Sequence, residues 1–293
     1  MKRLTSLDLP RMPPRPLDAH KGSAGNVLVV AGSYGMAGAA YLAAAGALAS
    51  GAGYVRMACP ESVYPILAVL CPTVVFSPLA CRADGQVEPG EYERVLEASG
   101  SSDAAVLGCG LGTTEAAADF FSGVITNIDL PCVIDASALT LLSGRRDLMG
   151  RLGGRHVLTP HPGEMARLLD LEVGGVLADR AGAVRRLWEA AGSVAVLKGA
   201  RTLVCDGTRI YENTSGNAGL ASAGSGDVLS GAIASLVAQG LGAFDAACLG
   251  VYVHGKAGDA AAGVSGRALA PTDIVARLPA ALLRLEGGRF EGR

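Results

Sequence analysis

The sequence predicts an α/β fold in which helices cover both faces of a mainly parallel central sheet. Seven short, nearly all-apolar runs rich in β-branched residues alternate with longer segments of helical length. Strands buried on both faces are continuous apolar runs, and strand–helix alternation is typical of parallel sheets. The composition agrees, because aromatic residues make up only 4% of the chain whereas glycine occurs 41 times. Such a composition favours close-packed small side chains and tight turns.

The predicted strands lie at residues 27–31, 54–59, 73–76, 104–108, 132–135, 156–159 and 194–198. The clearest helical segments between them are 38–50, 115–127 and 179–191. After residue 198 the pattern changes, and TLVCDGTRIYEN (202–213) predicts a hairpin that turns at Asp206-Gly207. The rest of the chain predicts helices at 227–239, 244–262 and 272–285, broken by the glycines near residue 240 and by Pro271.

We expect one domain across residues 1–293, because no repeat, linker or shift in composition divides the chain. Residues 1–18 should form an extended segment, since they lack the apolar core of a signal peptide and contain prolines that oppose a helix. These prolines are Pro10, Pro13, Pro14 and Pro16. The longest run of small apolar residues, 39–49, is too short to span a bilayer. We therefore expect a cytoplasmic protein.

Charge and cysteine content narrow the range of partners. The formal net charge is −2 and no run of basic residues occurs, so neither nucleic acid nor a membrane is an expected partner, and a small molecule is. The seven cysteines are odd in number and scattered, without CxxC spacing. This distribution argues against a disulfide framework and a zinc site, and it predicts buried thiols in a reducing compartment.

The stretch SAGSGDVLSG (222–231) holds one carboxylate, Asp227, among glycines and serines. Glycines let backbone N–H groups approach a ligand, and a helix that starts near Asp227 directs its positive end to the same place. The pattern predicts a phosphate pocket in which Asp227 deprotonates or aligns the group that reacts at the phosphate. The alternative is that Ser225 or Asp227 only caps the helix.

A second motif, TPHPGE (159–164), follows a predicted strand and opens a helix. Pro162 suits the first helical position and Glu164 the first turn, so the motif is at least a helix start. Two prolines also hold His161 in a stiff loop at the carboxyl end of a strand, where open α/β sheets place ligand contacts.

A third motif, KGART (198–202), ends the last predicted parallel strand. It places Lys198 and Thr202 where the phosphates of a nucleotide would lie. The alternative is a solvated surface lysine.

Two further glycine-rich turns, GSYGMAG (32–38) and GCGLG (108–112), also connect strands to helices. The first resembles a dinucleotide fingerprint with Glu61 as the ribose acid, but its GxxGxxG spacing departs from GxGxxG and disfavours that interpretation. One shared cleft at the strand ends explains all five loops together.

Seven stretches of the chain carry a more specific signal and stand in a fixed order between about His20 and Leu283. They are HKGSAGNVLVVAGSYGMAGAA, GCGLG, DASALTLL, VLTPHPGEMARLL, VLKGART, NAGLASAGSGDVLSGAIASLVAQG and GVYVHGKAGD. Together they resemble the ADP- or ATP-dependent NAD(P)H-hydrate dehydratase family. The resemblance implies a ribokinase-like α/β/α sandwich that repairs nicotinamide cofactors hydrated on the ring. It further implies that the terminal phosphate of the nucleotide moves to the ring hydroxyl and then leaves, which restores NADH or NADPH.

The same resemblance assigns roles by matching position. Asp227 would orient or deprotonate the hydroxyl, while the N–H groups of the 224–226 loop would stabilise the transferred phosphoryl group. The implied catalytic set is Gly224, Ser225, Gly226 and Asp227. The implied nucleotide contacts are Lys198, Gly199, Ala200, Arg201, Thr202 and Gly226. The implied hydrate contacts are Ala39, Gly112, His161 and Asp227. Mg²⁺ is expected to neutralise the phosphates, although no carboxylate cage is visible to bind it.

The chain departs from the family pattern in two motifs. Family members commonly have GPGLG where this chain has GCGLG, so Cys109 replaces a proline. They commonly have DADALNLL where this chain has DASALTLL, so Ser137 replaces an aspartate and Thr140 an asparagine. Many bacterial members also carry an N-terminal epimerase domain. The first 20 residues leave no room for one here, so we expect any epimerase to be a separate chain.

Two other functions fit the glycine loop with its single acid. One is a vitamin-type small-molecule kinase, which would leave TPHPGE and MAGA (36–39) unexplained. The other is a nucleotide sensor without catalysis. The resemblance favours ADP over ATP as phosphoryl donor and a homotetramer as the assembly, whereas a preference for the NADH or the NADPH hydrate is not readable.

Overall fold

The computed structural model describes residues 2–12, 15, 18, 20–262 and 269–286. Its strands are β1 Lys2–Leu4, β2 Asn26–Val30, β3 Tyr54–Pro60, β4 Val75–Leu79, β5 Ala104–Leu107, β6 Cys132–Ile134, β7 Val157–Leu158, β8 Val194–Leu197, β9 Leu203–Cys205 and β10 Arg209–Glu212. Its helices are α1 Ala37–Ala49, α2 Tyr64–Leu70, α3 Tyr92–Ser99, α4 Glu115–Asn127, α5 Ser137–Leu142, α6 Arg146–Met149, α7 Pro162–Leu169, α8 Val173–Ala178, α9 Arg180–Ala191, α10 Ser225–Ala238, α11 Ala243–Ala261 and α12 Pro271–Glu286.

The strands form one sheet in the order β1-β10-β9-β8-β7-β6-β5-β2-β3-β4. Only β9 runs antiparallel to its neighbours β8 and β10, so the prediction of a mainly parallel sheet is confirmed. The chain extends the sheet one way from β2 to β4 and the other way from β5 onward. The loops after β2 and β5 therefore meet at a reversal of strand order, where open α/β sheets bind ligands.

Side chains of the central strands alternate between two cores, one on each face of the sheet. Val27 and Val29 pack on the face covered by α1, α2, α10, α11 and α12. Leu28 and Val30 pack on the opposite face, which α3 to α9 cover. Because both faces bury apolar side chains, these strands are apolar at every position. The predicted three-layer α/β/α arrangement is confirmed.

The structure also corrects several predicted boundaries. The strand predicted at 73–76 runs from Val75 to Leu79, and the short helices α2, α3, α5, α6 and α8 had not been predicted. Within the predicted extended segment 1–18, β1 pairs with β10 and a 3₁₀ turn follows at Ser6–Asp8. Pro13, Pro14 and Pro16 lie outside the described residues, and the prediction of one domain over 1–293 remains a prediction. No helix in the described ranges has the length and apolar character needed to cross a bilayer.

Helices α1 and α10 pack closely because glycines face their contact. A Cβ atom on Gly46 of α1 would overlap the backbone carbonyl of Val228 in α10, and one on Gly231 would overlap the carbonyl of Ala43 in α1. Backbone can approach backbone in this way only where the side chain is absent. The contact fixes the start of α10, which carries Asp227, against α1, which carries Ala39.

We expect Gly46→Ala to lower the free energy of unfolding by about 2 kcal/mol, because the added methyl overpacks the α1–α10 contact. The control is Gly38→Ala on the same helix, where an added Cβ meets nothing within 4 Å. That variant should be neutral or stabilising by up to about 1 kcal/mol. Urea denaturation followed by circular dichroism measures both. Equal effects of the two substitutions would contradict the packing argument.

Candidate active site

The loop before α10 forms the nest of N–H groups that the sequence predicts. Gly224 is the N-cap of α10 with φ at 93°, a left-handed conformation that favours glycine, and no side chain caps this helix. The interpretation of Ser225 or Asp227 as a cap is therefore wrong. The Ser225 N–H donates to the Ser222 carbonyl oxygen at 3.2 Å, so the N–H groups of Gly226 and Asp227 in the first turn are the ones available to an anion, and the helix dipole adds to their attraction.

Asp227 lies in the first turn of α10 among other ionisable groups. One carboxylate oxygen of Asp227, one of Asp135 and the Sγ of Cys109 lie within 4.8 Å of one another. Burial raises the pKa of Asp227 to about 6, the charge of Asp135 adds to this, and a hydrogen bond from Cys109 and the charge of Lys198 oppose it. An acid of this pKa is largely ionised at pH 7 and accepts a proton readily.

Lys198 and Asp135 form a buried ion pair beside Asp227. The Lys198 Nζ lies 2.6 Å from Asp135 Oδ1, and Asp135 is only 1% exposed. The same Oδ1 accepts from the Ala136 N–H at 2.8 Å, while Oδ2 accepts from the Ser230 hydroxyl at 2.6 Å. Burial opposes the charge on Lys198, but Asp135, helped by Glu164, outweighs it and raises the lysine pKa. Lys198 therefore remains a cation, directed at the start of α10.

A cavity of about 700 Å³ opens where the KGART loop faces the start of α10. Its wall includes all of the predicted nucleotide contacts, which are Lys198, Gly199, Ala200, Arg201, Thr202 and Gly226. A Cβ on Gly226 would lie 3.2 Å from the Lys198 Nζ, so the two motifs are in direct contact. The volume and the cationic lining suit a nucleotide with its phosphates.

His161, predicted to contact the hydrate, lies in the wall of this same cavity. Its Nδ1 accepts from the N–H groups of Gly163 at 3.0 Å and Glu164 at 3.3 Å, so it caps α7 as the helix-start interpretation predicts. Its side chain is nevertheless 51% exposed. The cap thus fixes the ring in position, with its Nε2 3.6 Å from Glu164 Oε1, and leaves about half of the side chain exposed to the cavity.

The other predicted hydrate contacts, Ala39 and Gly112, lie on a second set of loops. A Cβ on Gly110 would sit 3.0 Å from the Ala39 Cβ, which places GCGLG directly on the start of α1. The Gly112 N–H donates to the Ser137 hydroxyl at 3.1 Å, so this departure from the family pattern has a structural role. Cys109 of the GCGLG loop has its Sγ within 4.8 Å of a carboxylate oxygen of Asp227. Asp227 itself does not line the KGART cavity, but it follows Gly226 of the cavity wall and lies beside Cys109 of the GCGLG loop, so it stands next to both the cavity and the loops that hold Ala39 and Gly112.

Several residues of the site were not predicted to act there. Asn213, Ser215 and Asn217 line the cavity from the segment after β10, and His254 of α11 approaches its base. The His254 Nε2 lies 3.0 Å from the Ser225 carbonyl oxygen, which fits an N–H donor. Asn217 and His254 stand within two of the stretches that carry the family resemblance, although no role was assigned to them. For Asn213 and Ser215 the sequence gave no such signal, because only folding brings their segment to the cavity.

The cluster of Cys109, Asp135 and Asp227 is compact enough for an ion but does not suit Mg²⁺. Both Asp135 oxygens already accept hydrogen bonds, and a thiol is a soft ligand, whereas Mg²⁺ prefers oxygen. The described residues thus offer no cage of carboxylates. Any Mg²⁺ would be bound mainly by nucleotide phosphates and water.

Comparison with known proteins identifies the family. Residues 27–280 match the family model described as NAD(P)H-hydrate dehydratase. The chain belongs to this family. A dehydratase-family protein of Neisseria meningitidis, named ADP-dependent (S)-NAD(P)H-hydrate dehydratase, is 43% identical over 83% of the chain and 79% of its own length. The bifunctional NAD(P)H-hydrate repair enzyme of Thermofilum pendens is 42% identical over 94% of the chain, which spans 53% of that relative. The chain thus spans about half the length of the bifunctional relatives it matches.

Two solved structures confirm the ribokinase-like fold. A ribokinase-like superfamily protein of Enterococcus faecalis superposes with a TM-score of 0.84 at 27% identity, over 97% of this chain and 96% of that one. The ADP/ATP-dependent NAD(P)H-hydrate dehydratase of Bacillus subtilis, co-crystallised with ATP/Mg²⁺, gives 0.79 at 27% identity over 96% and 100%.

We expect Asp135→Asn to lower the free energy of unfolding by about 3 kcal/mol, because the buried Lys198 then loses its ion pair at 2.6 Å and keeps only the more distant carboxylates, such as Glu164 at 3.9 Å. The control is Asp129→Asn, which removes an aspartate that is 93% exposed and paired with Arg155. That change should cost less than about 1 kcal/mol. Denaturant titration at pH 7 measures both. A loss from Asp135→Asn no larger than that from Asp129→Asn would contradict the structural role of the pair.

We expect His254 to make stability depend on pH, because burial lowers its pKa in the folded protein to about 4. In the unfolded chain the pKa is about 6.5, so the unfolded state binds more protons between these values. Stability is therefore lost as the pH falls through this range. The loss of unfolding free energy between pH 7 and pH 5 should be about 2 kcal/mol smaller in His254→Gln than in the wild type. Equal losses would show that His254 is not held neutral.

Proposed function

We propose that the protein restores NADH and NADPH from their S hydrates with ADP as the phosphoryl donor. The observation that carries the proposal is the position of Asp227, an acid with a raised pKa, next to both a cationic nucleotide-sized cavity and the loops of Ala39 and Gly112. The family relationship, including the relative named ADP-dependent (S)-NAD(P)H-hydrate dehydratase, supports this substrate and donor. The B. subtilis relative named for both nucleotides leaves ATP as a second donor.

The nucleotide occupies the KGART cavity in this proposal. Lys198 to Thr202 and Gly226 contact it, and the N–H groups of Gly224 and Gly226 face its terminal phosphoryl group, while that of Ser225 donates to the Ser222 carbonyl oxygen at 3.2 Å. The Lys198 ammonium, kept charged by Asp135 at 2.6 Å, draws phosphate oxygens to the same point. These fixed donors stabilise the charge on the equatorial oxygens as the phosphoryl group moves. When bound by these phosphates and water, Mg²⁺ would further neutralise the phosphate charge.

The hydrate binds against Ala39, Gly112 and His161 with its ring hydroxyl at Asp227. Asp227 orients this hydroxyl and accepts its proton as the oxygen forms a bond to phosphorus and the bond between phosphorus and the nucleotide breaks. The ring then carries a phosphate ester, whose carbon–oxygen bond breaks more easily than that of a hydroxyl. Loss of phosphate and of a proton from the adjacent ring carbon restores the double bond.

We also propose that the chain assembles as a homo-oligomer, with a tetramer as the expected state. An apolar patch on α2 and the adjoining edge strand β4 supports an interface. Within it, Val69 is 80% exposed, Ile66 55% and Leu70 45%. Apolar clusters of this kind on a surface commonly mark contacts between proteins.

We expect purified protein to restore the ultraviolet absorbance of NADPH from its hydrate when ADP is supplied, and more slowly with ATP. Asp227→Asn should lower kcat by at least about 100-fold, because the hydroxyl then loses its proton acceptor. Asp129→Asn, exposed on the surface, should keep the wild-type kcat.

Three results would contradict the proposal. Hydrate left unchanged with either nucleotide would exclude the dehydratase. A stable phosphorylated product without elimination would favour a small-molecule kinase. Full turnover by Asp227→Asn would remove the acid from the mechanism.

A further inference from the structure

Cys109 lies at the centre of the site although the mechanism above gives it no role. It follows β5 in the GCGLG loop, and its side chain is completely buried. The Gly32 N–H donates to the Cys109 carbonyl oxygen at 2.9 Å, which ties this loop to the one after β2. The residue is therefore fixed on the central strands rather than carried on a mobile surface loop.

The two carboxylates near the Cys109 thiol differ in their capacity to accept a further hydrogen bond. Its Sγ lies within 4.8 Å of oxygens of both Asp135 and Asp227. The Asp135 oxygens are already engaged, Oδ1 by Lys198 and the backbone and Oδ2 by Ser230. Asp227, which has a carboxylate oxygen within 4.8 Å of the Cys109 Sγ, is therefore the nearby carboxylate whose oxygens are left to accept the thiol hydrogen.

We propose that Cys109 is a positioning residue for the reaction, whose thiol donates a hydrogen bond to the Asp227 carboxylate and so holds that carboxylate, ionised, toward the acceptor hydroxyl. The catalytic part of this inference rests on the proposed function, since it takes Asp227 as the group that receives the proton. The hydrogen bond itself does not depend on that function.

Because Asp227 has other charges around it, a thiol donor changes the pKa of its carboxylate. Asp135 and Glu164 raise its pKa by repulsion, in addition to burial, whereas Lys198 and the Cys109 thiol lower it. Burial, together with both aspartates, raises the pKa of Cys109 well above its ordinary value, so the thiol stays protonated and remains a donor. Removal of the thiol therefore raises the pKa of Asp227, and the acidic limb of the rate profile moves to higher pH.

The direct test measures Asp227 in the free protein. Carbon-13 NMR of protein labelled at the aspartate carboxyl carbons follows its titration, with Asp227→Asn to assign the signal. We expect the midpoint to rise by about one pH unit in Cys109→Ala, since a hydrogen bond to a charged group contributes about 1.5 kcal/mol. Cys109→Ser keeps a donor and should stay close to the wild type. An unchanged midpoint in Cys109→Ala would overturn the proposal.

The kinetic test asks whether the hydrogen bond serves the reaction. In Cys109→Ala, kcat for hydrate should fall about tenfold with the KM for nucleotide little changed, and the acidic limb should move by the same interval as the NMR midpoint. Cys109→Ser should recover most of kcat. The control Cys59→Ala removes another completely buried thiol, on β3, and should leave the pH profile in place.

The outcomes separate the two proposals. An NMR midpoint that moves without any shift in the rate profile would overturn the positioning role, as would equal losses in Cys109→Ala and Cys109→Ser. A wild-type protein without hydrate turnover would refute the proposed function, while the NMR titration would still decide whether Cys109 acts on Asp227.

Discussion

The buried contact between the Lys198 ammonium and the Asp135 carboxylate is the constraint on which the site depends. A charge removed from water must be paired and hydrogen-bonded to remain a charge. Here the loop after β8 supplies the cation, the loop after β6 supplies the anion, and Ser230 of α10 donates to the same carboxylate. Three elements distant in sequence are thereby held at one point at the carboxyl ends of the strands. An unpaired lysine at this position would have to lose its proton, and with it the attraction for phosphate.

This pair also determines the character of Asp227. A carboxylate in a half-buried site resists ionisation, and a second anion nearby increases that resistance. The resulting pKa of about 6 places Asp227 closer to neutrality than an ordinary aspartate. Lys198 and Cys109 limit the effect, so the acid remains ionised at pH 7. The balance of one cation, one thiol and two neighbouring acids gives Asp227 a property that its own motif does not contain.

The site also requires its groups to be precisely placed, and close backbone packing provides this placement. Gly46 and Gly231 let α1 and α10 approach until backbone meets backbone, and Gly224 turns the chain so that α10 begins without a side-chain cap. A nest of amides attracts an anion only while no side chain occupies it. The abundance of glycine in the sequence therefore has a direct structural use at this site.

The sequence by itself determined the α/β class, most strands of the sheet and the loops that carry the chemistry, because these follow from local periodicity and from residues that permit special turns. It also predicted that KGART and GSGD would contribute to one cleft, since KGART follows a predicted strand of the sheet and GSGD precedes a helix predicted to pack on it. Only the tertiary structure decided that Asp135 neutralises Lys198, that the Cys109 thiol meets Asp227 and that His254 supports Ser225. These contacts join residues far apart in the chain, and their energies depend on burial and distance, which no spacing along the sequence encodes.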